Sequence, residues 1–368
     1  MKIALVHDFL LKLGGAERVL KVLSEMFPEA PIFTLLYDEK KVGHIFPKER
    51  VRTSFLQNYP GFIRRHYRLI THKIPRAIEE LDFEGFDCVI SSSGAYSHGI
   101  ITPLETKHIC YCHSPMRYAW DYSNEYKKEN NIKGLKAFFY APLIKYLREW
   151  DSIAADRPTK YLANSKHVQK RIGKYYKTDS DIVYPPVDTE RFRANEENSG
   201  YFLIVSTLTP YKKIDLAVQL FNKIGRRLVV IGDGPQREYL ESIAGENIDF
   251  LGFKDDETVK EYMENCRALI FPGEEDFGIT PVEAMACGKP VLAYGKGGVT
   301  ESVISGKTGE FFFEPTVESM EDGLARLMHN EKFYLPHTIR RHAQNFSREI
   351  FEKKIKQALK DVLVCFSK

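Results

Sequence analysis

The chain has 368 residues, 43% of them hydrophobic and 28% charged, with a net charge of +3. That length is too great for one comfortable core and fits two domains of ordinary size, while the balanced composition excludes a disordered or fibrous chain. Near-neutral overall charge gives no reason to expect a nucleic-acid partner.

The chain opens on MKIALVHDFLL, where His7 and Asp8 break the apolar run too early for a signal peptide. Residues 2–7 read as a strand, Gly14-Gly15 opens a helix that ends near Pro28, and 31–37 reads as the next strand. Residues 62–76, FIRRHYRLITHKIPR, carry Arg64, Arg65, Arg68, Lys73 and Arg76 without an acid, interleaved with apolar side chains. Two readings stay open: a basic amphipathic helix on an anionic membrane surface, or a solvated helix packing its apolar side on the core. Strands follow at 87–93 and 108–113, then a long helical pattern at 135–156 with a kink expected at Pro142. Strand 160–164, helix 166–176 and strand 181–184 complete the first half.

At Tyr184-Pro-Pro-Val-Asp188 the alternation stops, and the polar run 193–200 reads as a linker. It restarts with strand 201–206 and continues through helix 214–224, strand 227–231, helix 236–244, strand 248–252, helix 256–265 and strands 268–271 and 290–293. Alternating strands and helices predict an α/β chain of two doubly wound parallel sheets. Residues 348–366 form an amphipathic helix whose Phe351, Ile355, Leu359 and Val362 are placed to return to the first domain. The expected division is 1–186 with the terminal helix at about 348–368, against 187–347. Ligands of such sheets bind beyond the carboxyl ends of the strands, so two sheets facing across a cleft would each supply one substrate.

Six cysteines, Cys88, Cys110, Cys112, Cys266, Cys287 and Cys365, show no framework or metal spacing and read as buried thiols of a reducing compartment. No apolar stretch approaches the roughly 20 residues of a membrane span. The expectation is a cytoplasmic protein, peripheral on the inner face of the membrane if 62–76 binds lipid.

The densest chemistry lies in Glu275-Asp-Phe-Gly-Ile-Thr-Pro-Val-Glu283, between strand 268–271 and a short helix with Pro281 expected at its first position. The amides of Phe277, Gly278 and Ile279 at a helix start suit an anion, and Gly278 admits a ligand close to the backbone. Carboxylates on either side suit hydroxyls, which donate to them. A phosphate flanked by a ribose and a hexose satisfies both demands. Against this, Thr280 and Glu283 have the spacing of a capping box, in which Glu283 serves only the helix end.

Residues 270–302, IFPGEEDFGITPVEAMACGKPVLAYGKGGVTES, resemble the donor-site signature of glycosyltransferase family 4, retaining enzymes of the GT-B fold with two Rossmann-like domains. The resemblance extends to the Gly14-Gly15 loop, Asn164-Ser165, the Pro-Pro-Val-Asp segment, Gly232-Asp-Gly-Pro235 and the terminal helix. Within the family, residues 111–118 and Pro210-Tyr-Lys212 look most similar to bacterial GDP-mannose-dependent mannosyltransferases. The resemblance implies that Glu283 binds the nucleotide ribose, that Glu275 sits by the transferred sugar, and that the Phe277, Gly278 and Ile279 amides contact sugar and phosphate. Lys212 would neutralise the diphosphate, Gly14 and Gly15 would admit the first domain's backbone to the reaction centre, and His113 would touch the sugar from the acceptor side. Gly232, Gly234 and Phe253 would line the nucleotide pocket.

Thr207 stands where the family usually has an arginine that shares the diphosphate charge. Its loss removes a charged hydrogen bond, about 1–3 kcal/mol, for which Lys213 or Arg171 is a candidate replacement. No Asp-x-Asp stands at a strand end, so Lys212 and the helix end are expected to do the charge work without a metal or cofactor. The implied activity is transfer of mannose from GDP-mannose to a saccharide acceptor, lipid-linked or destined for a cell-surface polysaccharide. Two alternatives remain: a UDP-sugar-dependent enzyme of the same fold, or a catalytically weak binding protein.

Overall fold

The computed structural model describes residues 1–123, 126–127 and 132–364. Cys365 and the end of the expected terminal helix lie outside them. The chain divides into two compact units, Met1–Tyr184 with Phe351–Lys368, and Pro185–Ile350.

The first unit is a seven-stranded sheet. Its strands are β1 (Ile3–Leu10), β2 (Ile32–Tyr37), β3 (Val51–Thr53), β4 (Cys88–Ser93), β5 (Lys107–Cys112), β6 (Lys160–Ala163) and β7 (Asp181–Ile182). They lie in the order β3-β2-β1-β4-β5-β6-β7, all parallel. Every residue of β4 is buried and β1 is nearly so, because helices cover both faces of a parallel sheet. One face packs Leu5, Ile90 and Tyr111 against Leu20 and Leu23 of α1 (Gly15–Met26), and the other packs Val6 and Val89 against Leu147 and Trp150 of helix Leu135–Ala154. That helix continues as one element through Pro142. Phe351, Ile355, Leu359 and Val362 of helix Arg348–Val364 join the α1 face of this core, as their spacing predicts.

The second unit has six parallel strands: β8 (Phe202–Val205), β9 (Leu228–Ile231), β10 (Ile248–Gly252), β11 (Ala268–Phe271), β12 (Val291–Tyr294) and β13 (Gly309–Phe312), ordered β10-β9-β8-β11-β12-β13. In both sheets the direction of strand addition reverses beside the first strand, between β1 and β4 and between β8 and β11. These are the switch points where ligands of open α/β sheets bind.

The structure corrects three local expectations. Residues 62–76 do not form one helix. They break into Gly61–Arg65, a tight turn region Tyr67–Lys73 that leaves helical geometry at Ile70, and Ile74–Glu79. The polar run 193–200 is no free linker, because the buried Lys289 ammonium donates to the carbonyls of Asn195 (2.9 Å) and Glu197 (2.7 Å). Strands β3 and β13 escape the pattern: β3 is a three-residue edge strand with one buried side chain, too few positions to show alternation, and β13 is only four residues long.

Candidate functional site

In the second unit the chain leaving β11 passes through Pro272–Gly278 and enters helix Ile279–Ala286. Gly278 is the residue before the helix and has φ +86°, a conformation L side chains rarely adopt. The helix therefore begins at Ile279, and Pro281 occupies its third position rather than its first. No side chain caps this end, so the capping box expected from Thr280 and Glu283 does not form. Glu283 lies within the helix, half-buried. The first amides of a helix have no intrahelical partners and carry its positive end.

The loop after β8 runs beside this turn. Lys212 ends a short helical turn, Pro210–Lys212, and its ammonium forms an ion pair with the Glu275 carboxylate. Both side chains keep some exposure, 12% for Lys212 and 24% for Glu275. The structure thus brings together Lys212 and Glu275, placed 63 residues apart in the chain. This partly sheltered pair holds a cation and an anion ready at the strand ends. Phe277 turns inward, 3% exposed, against the Phe346 ring, so its side chain belongs to the packing of the second unit.

The Glu275 loop is shaped by Gly297 and Gly298, to which the sequence reading assigned no part. The Gly298 amide donates to the Glu275 carbonyl at 2.8 Å, and a Cβ at Gly298 would fall 2.2 Å from the Asp276 carbonyl oxygen. The Gly-Gly doublet in the 270–302 segment was the available signal.

Gly232 and Gly234 border the β8 loop for a similar reason. A Cβ at Gly232 would lie 1.8 Å from the Ser206 carbonyl, and one at Gly234 would lie 2.5 Å from that of Leu208. Their immediate role is close backbone packing. Phe253 follows β10 with its ring 82% exposed, next to Gly252, whose carbonyl accepts from the Gly232 amide at 2.9 Å. Thr207 is exposed in the same β8 loop. Of the two replacements expected for the missing arginine, Lys213 is exposed with a left-handed backbone. Arg171 is 6% exposed and committed within the first unit, to the Ser114 hydroxyl at 2.7 Å and the Asp121 carboxylate at 2.8 Å.

In the first unit, Gly14 precedes α1 and its amide donates to Glu17 Oε2 at 2.8 Å. Gly15 starts the helix. His113 follows β5 directly, its amide continuing the sheet to the Ser93 carbonyl at 2.8 Å. Its Nε2 lies 2.7 Å from the Ser92 hydroxyl. Ser92 in turn sits opposite His7 in the β1–β4 register. Glu17, His7 and Ser92 were absent from the sequence-based candidates. Among the described residues no group of three or more His, Cys, Asp or Glu is placed to hold a metal ion, and no helix is long and apolar enough to cross a membrane. The five described cysteines are buried and unbridged, and burial pushes the Cys88 and Cys266 thiols up to about 12.

Comparison with known proteins places this architecture. Anabaena HepE, solved in complex with UDP-glucose, superposes with a TM-score of 0.70 at 16% identity, covering 98% of this chain and 100% of that one. The family model described as Glycosyltransferase Family 4 matches residues 13–191, and that described as Glycosyl transferases group 1 matches 187–346. Fold and family models together define a glycosyltransferase of the GT-B type. The chain belongs to glycosyltransferase family 4. An uncharacterized glycosyltransferase of Methanocaldococcus jannaschii is 24% identical over 375 residues, spanning 98% of this chain and 97% of its own length. An alpha-1,3/1,6-mannosyltransferase of Debaryomyces hansenii is 26% identical over 388 residues, 82% of this chain and 76% of its own.

Proposed function

We propose that the protein transfers mannose from GDP-mannose to a hydroxyl of a saccharide acceptor, with retention at the anomeric carbon. The observation that carries this reading is the Lys212–Glu275 pair beside the open helix end at Ile279, at the switch point of the second sheet. Similarity to mannosyltransferases supports the choice of sugar. Lys212 leaves Glu275 for the diphosphate, the amides of Phe277, Gly278 and Ile279 hold sugar and phosphate, and Glu275 accepts from the sugar hydroxyls. Glu283 accepts from the ribose, and Phe253 covers the base beside Gly232 and Gly234. In the first unit Gly14 and Gly15 admit the sugar to the backbone and His113 donates to it.

The bond between the anomeric carbon and the diphosphate breaks through an oxocarbenium-like state. The acceptor oxygen attacks on the same face, and its proton passes to the departing phosphate. Charge grows on that phosphate, so preorganised donors around it supply most of the rate enhancement. No metal is required, because Lys212 and the helix end meet the charge. Thr207 in place of the usual arginine makes Lys212 the dominant side-chain cation.

A donor screen tests the proposal: GDP-mannose and UDP-glucose, membrane extract as acceptor, and EDTA present throughout. Release of GDP with an α-mannosylated product is expected. Preference for the UDP-sugar, or dependence on added metal, would defeat it.

The acceptor is proposed to be lipid-linked, with the protein held at an anionic membrane by residues 62–76. Phe62 and Leu69 are 58% and 68% exposed there among Arg65, Arg68 and Lys73, a combination that binds anionic lipid.

A further inference from the structure

His7 is 3% exposed in the middle of the first sheet, and both of its ring nitrogens meet acceptors. Nδ1 lies 3.0 Å from the Ser92 carbonyl oxygen and 3.1 Å from the Ser92 hydroxyl. Nε2 lies 3.5 Å from Glu17 Oε1. The Ser92 carbonyl can only accept, so Nδ1 carries hydrogen, and an ionised Glu17 carboxylate likewise only accepts and favours a second hydrogen on Nε2, the imidazolium form of His7. With Nδ1–H directed at Ser92, the Ser92 hydroxyl is left to donate onward, and His113 Nε2 stands 2.7 Å away to accept. A neutral imidazole that accepts at Nε2 carries its hydrogen at Nδ1. With the Ser92 hydroxyl donating its single hydrogen to His113 Nε2, one carboxylate orders a line of hydrogen bonds ending at His113. Its other oxygen holds the Gly14 amide at 2.8 Å.

We propose that Glu17, His7 and Ser92 are positioning residues that fix His113 as its Nδ1–H tautomer, and that Glu17 ties the Gly14 turn to the same anchor. The assignment of the sugar to His113 rests on the function proposed above; the order of the hydrogen bonds does not. Glu17, His7 and Ser92 act through His113. Each member transmits orientation, as the aspartate of a serine-protease triad sets the tautomer of its histidine.

The test is the side-chain nitrogen NMR spectrum of histidine-labelled full-length protein. His113 is expected as the Nδ1–H form in wild type, reverting toward the Nε2–H form in Ser92→Ala and Glu17→Gln. The second substitution preserves side-chain size and serves where the first fails to fold. With the donor established by the screen, both variants should lower kcat by roughly 10- to 100-fold, the scale of a misplaced reacting group. GDP affinity should stay within about 2-fold of wild type. An Nε2–H tautomer in wild type, or a tautomer and kcat untouched by both substitutions, overturns the proposal. Because the tautomer is read without substrate, an inactive donor screen leaves this result standing on its own.

Discussion

Lys212 and Lys213 are neighbours with opposite fates: one reaches Glu275, and the other is exposed with a left-handed backbone. Lys212→Ala should therefore lower kcat/KM by about 100-fold or more, the scale of removing a preorganised charge donor, while Lys213→Ala stays within about 3-fold. Equal small effects in steady-state kinetics would remove Lys212 from the chemistry. The His7–Glu17 pair makes a different prediction, in stability. Burial alone would push His7 below its ordinary 6.5, but Glu17, Asp8 and the Ser92 carbonyl outweigh it and raise the ring. Burial likewise pushes Glu17 upward, and His7 outweighs that, holding it below 4.5. The raised histidine stabilises fully below 6.5 and loses its contribution as pH climbs through its folded value. The lowered glutamate stabilises above 4.5 and loses its contribution as pH falls through its folded value. Thermal unfolding of His7→Gln should thus show its largest deficit against wild type near about pH 5.5, shrinking by about pH 9. A deficit constant across that range would mean the pair is not ionised.

The strand–turn–helix around Gly278 was legible because glycine, proline and acidic residues each mark a backbone requirement at a fixed offset. The exact helix start was not: Pro281 fits the first turn at more than one position, and only the positive φ of Gly278 settles which. Thr280 and Glu283 imitate a cap in sequence because spacing alone does not say where helical geometry begins. Glu17 and Ser92 were invisible for another reason. They meet His7 across an 85-residue separation for Ser92 and through a helix turn for Glu17, and no local pattern encodes a cross-sheet register. The terminal helix, by contrast, announced its apolar face at three- and four-residue steps, and that face is where Phe351 is buried to 1% with its ring 5.6 Å from Tyr111. Phe351→Ala should cost about 3–5 kcal/mol, measured by denaturant unfolding of the full chain. A cost under about 1 kcal/mol would mean this helix is not docked as described.

For the whole molecule, the proposed attachment to lipid depends on a small surface rather than on net charge, which is only +3. Co-sedimentation with phosphatidylglycerol vesicles should exceed that with phosphatidylcholine, fall with salt as screening shortens the reach of the arginines, and drop in Phe62→Ser/Leu69→Ser. Equal recovery on both lipids would assign residues 62–76 to solvent alone. Residues 351–362 complete the core beneath α1, yet every residue of the second unit precedes them in the chain. During synthesis the first half therefore emerges with an apolar strip still uncovered, and it stays so until roughly 170 further residues have left the ribosome, a delay of about 10–30 s at ordinary elongation rates. The half that is translated first is the last to close.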